Sequence, residues 1–86
     1  MPEISRFYGI SIYMYFREHK PPHFHAVYGE NGALISIETL GLVSGWLPPR
    51  VMGLVVEWAS LHKEELKRNW GKACNHQKPD KIEPLK

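Results

Sequence analysis

The sequence contains a single cysteine, Cys74, and so lacks the pair that an intramolecular disulfide needs. Small secreted domains of this length are commonly held together by disulfides, so a disulfide framework is excluded and a reducing compartment is indicated. The first residues, MPEISRF, contain no apolar segment typical of a signal peptide. The apolar run FYGISIYMYF is too short to cross a bilayer, which takes about 20 residues as a helix. The sequence therefore predicts a cytoplasmic protein with no membrane partner.

Charge of one sign is also scarce in this chain. Eleven lysines and arginines stand against nine acidic residues, and the formal net charge is +2. This excess is too small to indicate nucleic-acid binding by itself. The chain also lacks internal repeats and low-complexity segments. Its 86 residues predict one domain, and an apolar fraction of 43% predicts a folded domain rather than a disordered one.

Alternating apolar residues in the first half of the chain predict strands. In GISIYMYFR the residues Ile10, Ile12, Met14 and Phe16 recur with the period of two that is typical of a half-buried strand. HFHAVY and ALISIE continue this pattern on either side of GENG, whose two glycines suit a hairpin turn. LVSGW predicts a fourth, weaker strand, in which Gly45 indicates a bulge or a sheet edge.

The second half of the chain predicts a helix. Pro48 and Pro49 mark its start, because proline suits the first turn of a helix. Apolar residues then recur at helical spacing as far as Trp70, and Gly71 is predicted to end the helix. The predicted fold class is α+β, with the helix packed on a small antiparallel sheet of three to four strands. The predicted segments are an N-terminal arm (1–6), the sheet (7–47), one long helix (48–71) and an extended tail (72–86).

Three passages of the sequence resemble a known family. MPEISRFYGI, FREHKPPHFHAVYGE and LPPRVMGLVVEWASLHKEEL with a later KIEPL are similar to small bacterial proteins grouped as domain of unknown function DUF4160. The segment PPHFHA is the most specific part of the resemblance. Members are often encoded beside another small domain, DUF2442, and some such pairs are described as toxin–antitoxin systems. The resemblance therefore implies a toxin-like protein with a small antitoxin-like partner, and it implies no catalytic residue.

Three of the five histidines lie within seven residues of one another, in HKPPHFH. His23 and His25 are two apart on a predicted strand, so their side chains share a face, with Cα atoms about 6.6–6.8 Å apart. Near neutral pH one imidazole can act as a base while another acts as an acid, and Arg17 can hold a phosphate. Tyr13 and Tyr15 can stack a base on the same face. This pattern predicts metal-independent cleavage of RNA by a candidate catalytic cluster of Arg17, His19, His23 and His25.

Two other interpretations of the histidines stay open. In the first, the H-x-H pair and His19 bind a metal ion, but no H-E-x-x-H or C-x-x-C motif accompanies them, so neither a metal nor a cofactor is predicted. In the second, the imidazoles bond to the backbone and pack on neighbouring rings, and the protein is a non-enzymatic interaction module. Its partner-binding candidates, which would also suit a homodimer, are then the apolar residues Leu42, Trp46, Ile82 and Leu85.

The catalytic and the interaction interpretations differ in what they require of the structure. Catalysis needs Arg17, His23 and His25 to converge on one open surface. It loses support if the two strand histidines are sealed under the helix or the tail. The interaction module instead predicts a contiguous apolar surface near Trp46.

Overall fold

A computed structural model describes residues 2–15 and 21–86. Within these residues the chain forms five strands followed by two helices: β1 (Glu3–Phe7), β2 (Ile10–Tyr13), β3 (His23–Tyr28), β4 (Asn31–Ser36), β5 (Leu42–Gly45), α1 (Pro49–Leu61) and α2 (Lys63–Cys74). The strands form one antiparallel sheet in the order β1-β2-β3-β4-β5. The predicted α+β class is confirmed. The prediction of three to four strands and one long helix is wrong in detail.

Short turns join β1 to β2 and β3 to β4. Between β1 and β2, Tyr8 and Gly9 have φ angles of 49° and 78°. Positive φ at both central residues is typical of a type I′ turn, whose twist matches that of the flanking strands. Between β3 and β4, the paired residues Tyr28 and Asn31 enclose a two-residue loop in which Gly29 has φ 59°. The hairpin predicted from GENG is therefore confirmed.

The core lies between one face of the sheet and the two helices. Trp58 of α1 is fully buried, and its ring centroid lies 5.4 Å from that of Phe7 and 5.8 Å from that of Phe24. Leu66 of α2 is fully buried as well. The alternation predicted from the sequence supplies most of the sheet side of this core, namely Ile10, Ile12, Met14, Phe24, Ala26, Ala33, Ile35 and Ile37. Phe16 lies outside the described residues.

β1 takes the place of the N-terminal arm that the sequence predicted over residues 1–6. Its burial does not alternate, because Ile4 and Ser5 are both buried. The register against β2 shifts between Glu3 and Ser5, so one extra residue enters the strand there. A bulge of this kind turns successive side chains toward the same side and hides the period of two. EISRF therefore did not show the pattern of a strand.

His62 divides the helix predicted over residues 48–71 into α1 and α2. Its φ and ψ of −124° and 27° are not helical, and its N–H donates to the carbonyl of Ala59 at 3.1 Å. Its ring Nδ1 lies 2.6 Å from Oε1 of Glu65 in the next turn. Neither proline nor glycine marks this position, and apolar residues continue on both sides of it. The sequence pattern therefore predicted one helix where the chain forms two.

α2 continues through Gly71, where the sequence predicted an end, and stops at Cys74. The extended tail predicted for residues 72–86 therefore begins about one turn later. The side chain of Asn69 holds it, because its Nδ2 donates to the carbonyl of Asp80 and its Oδ1 accepts from the N–H of Asp80, both at 2.9 Å. Both amide atoms of this buried side chain are thus satisfied by the tail.

Residues 79–85, called the strap below, pass along the outer edge of β1. The N–H of Ile82 donates to the carbonyl oxygen of Ile4 at 2.8 Å. The indole Nε1 of Trp58 donates to the carbonyl oxygen of Glu83, also at 2.8 Å. These bonds satisfy a buried indole and one backbone group on the edge of β1. The strap is therefore part of the folded body.

Candidate functional site

The sheet has a second face, turned away from the core, and the strand histidines lie on it. Register places Tyr13 opposite His25, and His25 opposite Leu34. Val27 lies opposite Ser11 in the neighbouring row. Because strand side chains alternate, these residues point away from Ile12, Ala26 and Ile35 in the core. The outer face is defined here as the half-buried residues Ser11, Tyr13, His25, Val27 and Leu34.

A row of aromatic rings crosses the end of the outer face. Tyr13 and Tyr15 stack with centroids 6.2 Å apart and planes 16° from parallel. The rings of Tyr15 and His25 meet edge to face, with centroids 4.2 Å apart. His25 contacts His23 at 5.3 Å, and His23 contacts Trp70 of α2 at 5.2 Å. The two histidines therefore belong to an unbroken row of contacting rings that runs from Tyr13 of β2 to Trp70 of α2.

His23 and His25 differ in exposure. His23 is 4% exposed and packs against Trp70, whereas His25 is half-buried. The Nδ1 atom of His23 lies 2.7 Å from the carbonyl oxygen of Pro21. A carbonyl only accepts, so this Nδ1 carries a proton and donates. Proton exchange between the two rings on one substrate requires both to be reachable, and burial of His23 does not favour it.

The remaining members of the predicted catalytic cluster, Arg17 and His19, lie outside the described residues. The four-residue cluster therefore stays a prediction. Across residues 2–15 and 21–86, no group of three or more histidine, cysteine, aspartate or glutamate side chains is arranged to hold a metal ion.

Charged side chains are few on this sheet. Across the five strands, Glu3 is the only aspartate or glutamate and Arg6 the only lysine or arginine. They pair with each other, because Nε and Nη2 of Arg6 donate to Oε2 of Glu3 at 3.0 and 2.8 Å. Proteins that bind single-stranded nucleic acid combine aromatic rings with a basic groove. The outer face has the rings, but Arg6, the one arginine of the five strands, already has an acidic partner.

β5 forms an exposed edge of the sheet, as the sequence predicted. All four of its residues are exposed, and it pairs with β4. Leu42 is 49% exposed, and Trp46, which directly follows the strand, is 54% exposed. Val43 between them is 45% exposed, and it was not among the predicted partner-binding residues. Its place in LVSG, the segment predicted to be a weak edge strand, could have indicated that it is exposed.

The two tail residues predicted to bind a partner lie elsewhere. Ile82 is 4% exposed and belongs to the core of its own chain. Leu85 is half-buried and packs against that core. The exposed apolar residues near Trp46 therefore belong to β5 and its flank, and not to the tail.

Comparison with known families identifies most of the sheet and the helices as a known domain. A family model described as domain of unknown function (DUF4160) matches residues 9–71, which is 63 of the 86 residues. The chain belongs to this family. No curated protein matches the chain, and no solved structure matches it. The part matched to DUF4160 runs from the first turn into α2, so it contains His23, His25 and β5 but not β1 or the strap.

One further property of this DUF4160 domain concerns membranes. Neither α1 nor α2, the helices seen in the described ranges, is long and apolar enough to span a bilayer.

Proposed function

We propose that this DUF4160 chain is the toxin-like component of a two-protein system in the cytoplasm. Its partner is a small antitoxin-like protein, which binds the outer face and the flanking Trp46. The two-protein system rests on the resemblance to the family. The binding surface rests on one observation, which is that the outer face is neutral and half-exposed and has Trp46, 54% exposed, beside it.

The composition of this surface suits a protein partner. The centres of protein interfaces are depleted of charged residues and enriched in aromatic ones. Tyr13, Val27 and Leu34 supply uncharged area on the outer face. Trp46 lies next to them, since its N–H donates to the carbonyl of Gly32 at 3.1 Å and Gly32 pairs with Val27. Tryptophan, with tyrosine and arginine, is enriched among the residues that dominate binding energy at interfaces.

Action on RNA is the second candidate, and the row of rings supports it. His25 is half-buried, and the edge-to-face contact with Tyr15 orients its imidazole on the outer face. An imidazole can take or give a proton at a bound ribose. In this proposal His25 is the catalytic base or acid, and the tyrosine rings stack a base of the substrate.

Growth after induced expression tests the first proposal. Three proteins are compared at matched soluble level: the wild type, Trp46→Ser and Leu61→Ser. Leu61 is the matched control, because it is 67% exposed and lies on α1, away from the outer face. Each is expressed with and without the small protein encoded beside it. We expect the wild type and Leu61→Ser to slow growth and the neighbour to restore it, whereas Trp46→Ser escapes neutralisation.

Calorimetry with the purified neighbour measures the same contact directly. Loss of a central tryptophan should weaken binding by at least about tenfold, and Leu61→Ser should leave it unchanged. Equal affinity for the wild type and Trp46→Ser would place the partner on another surface. If the wild type does not slow growth at all, the toxin-like role is wrong, and the calorimetry still decides where the partner binds.

A single variant, His25→Ala, tests the action on RNA. If it remains folded and binds the neighbour but no longer slows growth, His25 acts on the target, and RNA from the arrested cells should be examined for cleavage. Growth arrest as strong as that of the wild type would show that the histidine has no part in it.

A further inference from the structure

The two edge strands of the sheet, β1 and β5, differ in whether another segment of the chain bonds to them. On the outer edge of β1, the strap donates from Ile82 to the carbonyl of Ile4. At the other edge, the part of the chain that the structure describes pairs β5 with β4 and places no further strand beside it. An edge strand presents backbone N–H and C=O groups that another strand can bond. Among the described residues, the edge of β5 is therefore more open to pairing than the edge of β1, which the strap contacts.

β5 lacks two of the devices that keep sheet edges from pairing, which are charged side chains and proline. Its sequence, LVSG, contains no lysine, no other charge and no proline. It is short, and its register against β4 shifts between Leu34 and Ile35, which limits pairing to a few residues. Its exposed side chains include Leu42 and Val43, and removing their apolar area from water favours association. The edge is therefore both accessible and apolar.

We propose that the occupant of this edge is a second copy of the same chain, with the two β5 strands antiparallel across a twofold axis. Self-pairing of a neutral strand places no like charges opposite one another, so it avoids the cost that a charged edge would have. The two five-stranded sheets then form one sheet of ten strands. This inference goes beyond the proposed function, because it does not depend on the small partner.

The closed edge of β1 decides how far this association proceeds. If both edges were open, copies would add at each end and form a filament. Because the strap occupies β1 at Ile4, pairing through β5 uses up the available edge and ends at two copies. An interface of this kind is self-complementary and closed. It also makes the two outer faces continuous, so the dimer presents two copies of the proposed partner site side by side.

Sedimentation equilibrium over a wide range of concentration tests the dimer. We expect the mass to rise from 10.0 kDa toward twice that value. Val43→Lys places two lysines in the interface and should raise the dissociation constant by about tenfold or more. Leu61→Lys is the matched control, since it adds the same charge to an exposed apolar position on α1 and should leave the constant unchanged. Circular dichroism shows whether each variant is folded.

Hydrogen exchange on the wild type gives a second measurement that needs no variant. Amides of β5 that do not bond to β4 should exchange more slowly as concentration rises, while those of α1 keep their rates. A mass of 10.0 kDa at every concentration overturns the proposal, and so does a dimer that Val43→Lys leaves intact. Protection of β5 that appears only when the neighbour protein is added also overturns it, because the occupant is then a foreign strand. The Trp46→Ser calorimetry reports on the proposed function separately.

Discussion

The backbone N–H of Ile82 donates a 2.8 Å hydrogen bond to the carbonyl oxygen of Ile4. Both side chains are buried in the core, at 4% and 0% exposure. Both residues also lie outside the range 9–71 that the DUF4160 family model matches. Part of the core of this chain is therefore built by two segments that lie beyond the matched range and bond to each other.

Replacing Ile82 with alanine should destabilise the protein. Loss of a buried isoleucine side chain typically costs about 2–4 kcal/mol, from lost transfer energy and from the cavity that remains. Urea unfolding followed by circular dichroism measures the change in the free energy of unfolding. Leu61→Ala is the control, because a position 67% exposed should change that energy by less than about 0.5 kcal/mol. Equal effects of the two variants would mean that the strap does not pack as described.

Gly71→Ala should stabilise the protein. Gly71 lies inside α2 with helical neighbours on both sides, and a Cβ added there meets no atom within 4 Å. Alanine favours a helix interior over glycine by about 0.8–1 kcal/mol. Thermal unfolding measures the gain, and Gly29→Ala is the control, since it has equal free space but a φ of 59° that alanine disfavours. A loss of stability at Gly71 would contradict the continuation of α2 to Cys74.

Gly45→Ala should destabilise the β5 edge. Gly45 has φ 83°, and an added Cβ would lie 2.9 Å from Cα of Ala33 and closer still to the carbonyl oxygen of Gly32. Positive φ and backbone crowding together should cost at least about 1–3 kcal/mol of unfolding free energy. Gly29→Ala, with positive φ and no crowding, should lose less. Hydrogen exchange of β5 amides locates the effect, and unchanged exchange there would show that β5 does not approach Gly32.

Replacing each strand histidine with alanine should separate structure from function. His23 is buried against Trp70 and bonds to Pro21, so His23→Ala should cost about 2–4 kcal/mol of unfolding free energy. His25 is half-buried, and His25→Ala should cost about 1 kcal/mol. Urea unfolding of both variants measures the difference. Similar costs would mean that His23 is not sealed by Trp70. If only His23→Ala loses function, unfolding explains that loss.

Local pattern predicted a large part of this fold. The alternation of Ile10, Ile12 and Met14 identified strand residues and the side they bury, and that of Phe24 and Ala26 identified residues on a shared face. This succeeds because strand side chains point to opposite faces in turn, so a half-buried strand is visible in a few consecutive residues. The GENG turn and the β5 edge were also predicted from short segments. There the signal was glycine, which adopts backbone angles that other residues disfavour.

The sequence by itself determined the α+β class, the three strands β2, β3 and β4, the exposed edge at Trp46 and the resemblance to DUF4160, because each is a property of short consecutive segments. Only the tertiary structure decided that β1 joins the sheet through a bulge, that the chain breaks at His62, that Ile82 belongs to the core and that His23 lies beneath Trp70. The packing of Ile82 beside Ile4 and of His23 against Trp70 joins residues far apart in the chain, which local periodicity does not show. The bulge hides the period of two in β1, and no proline or glycine marks the break at His62.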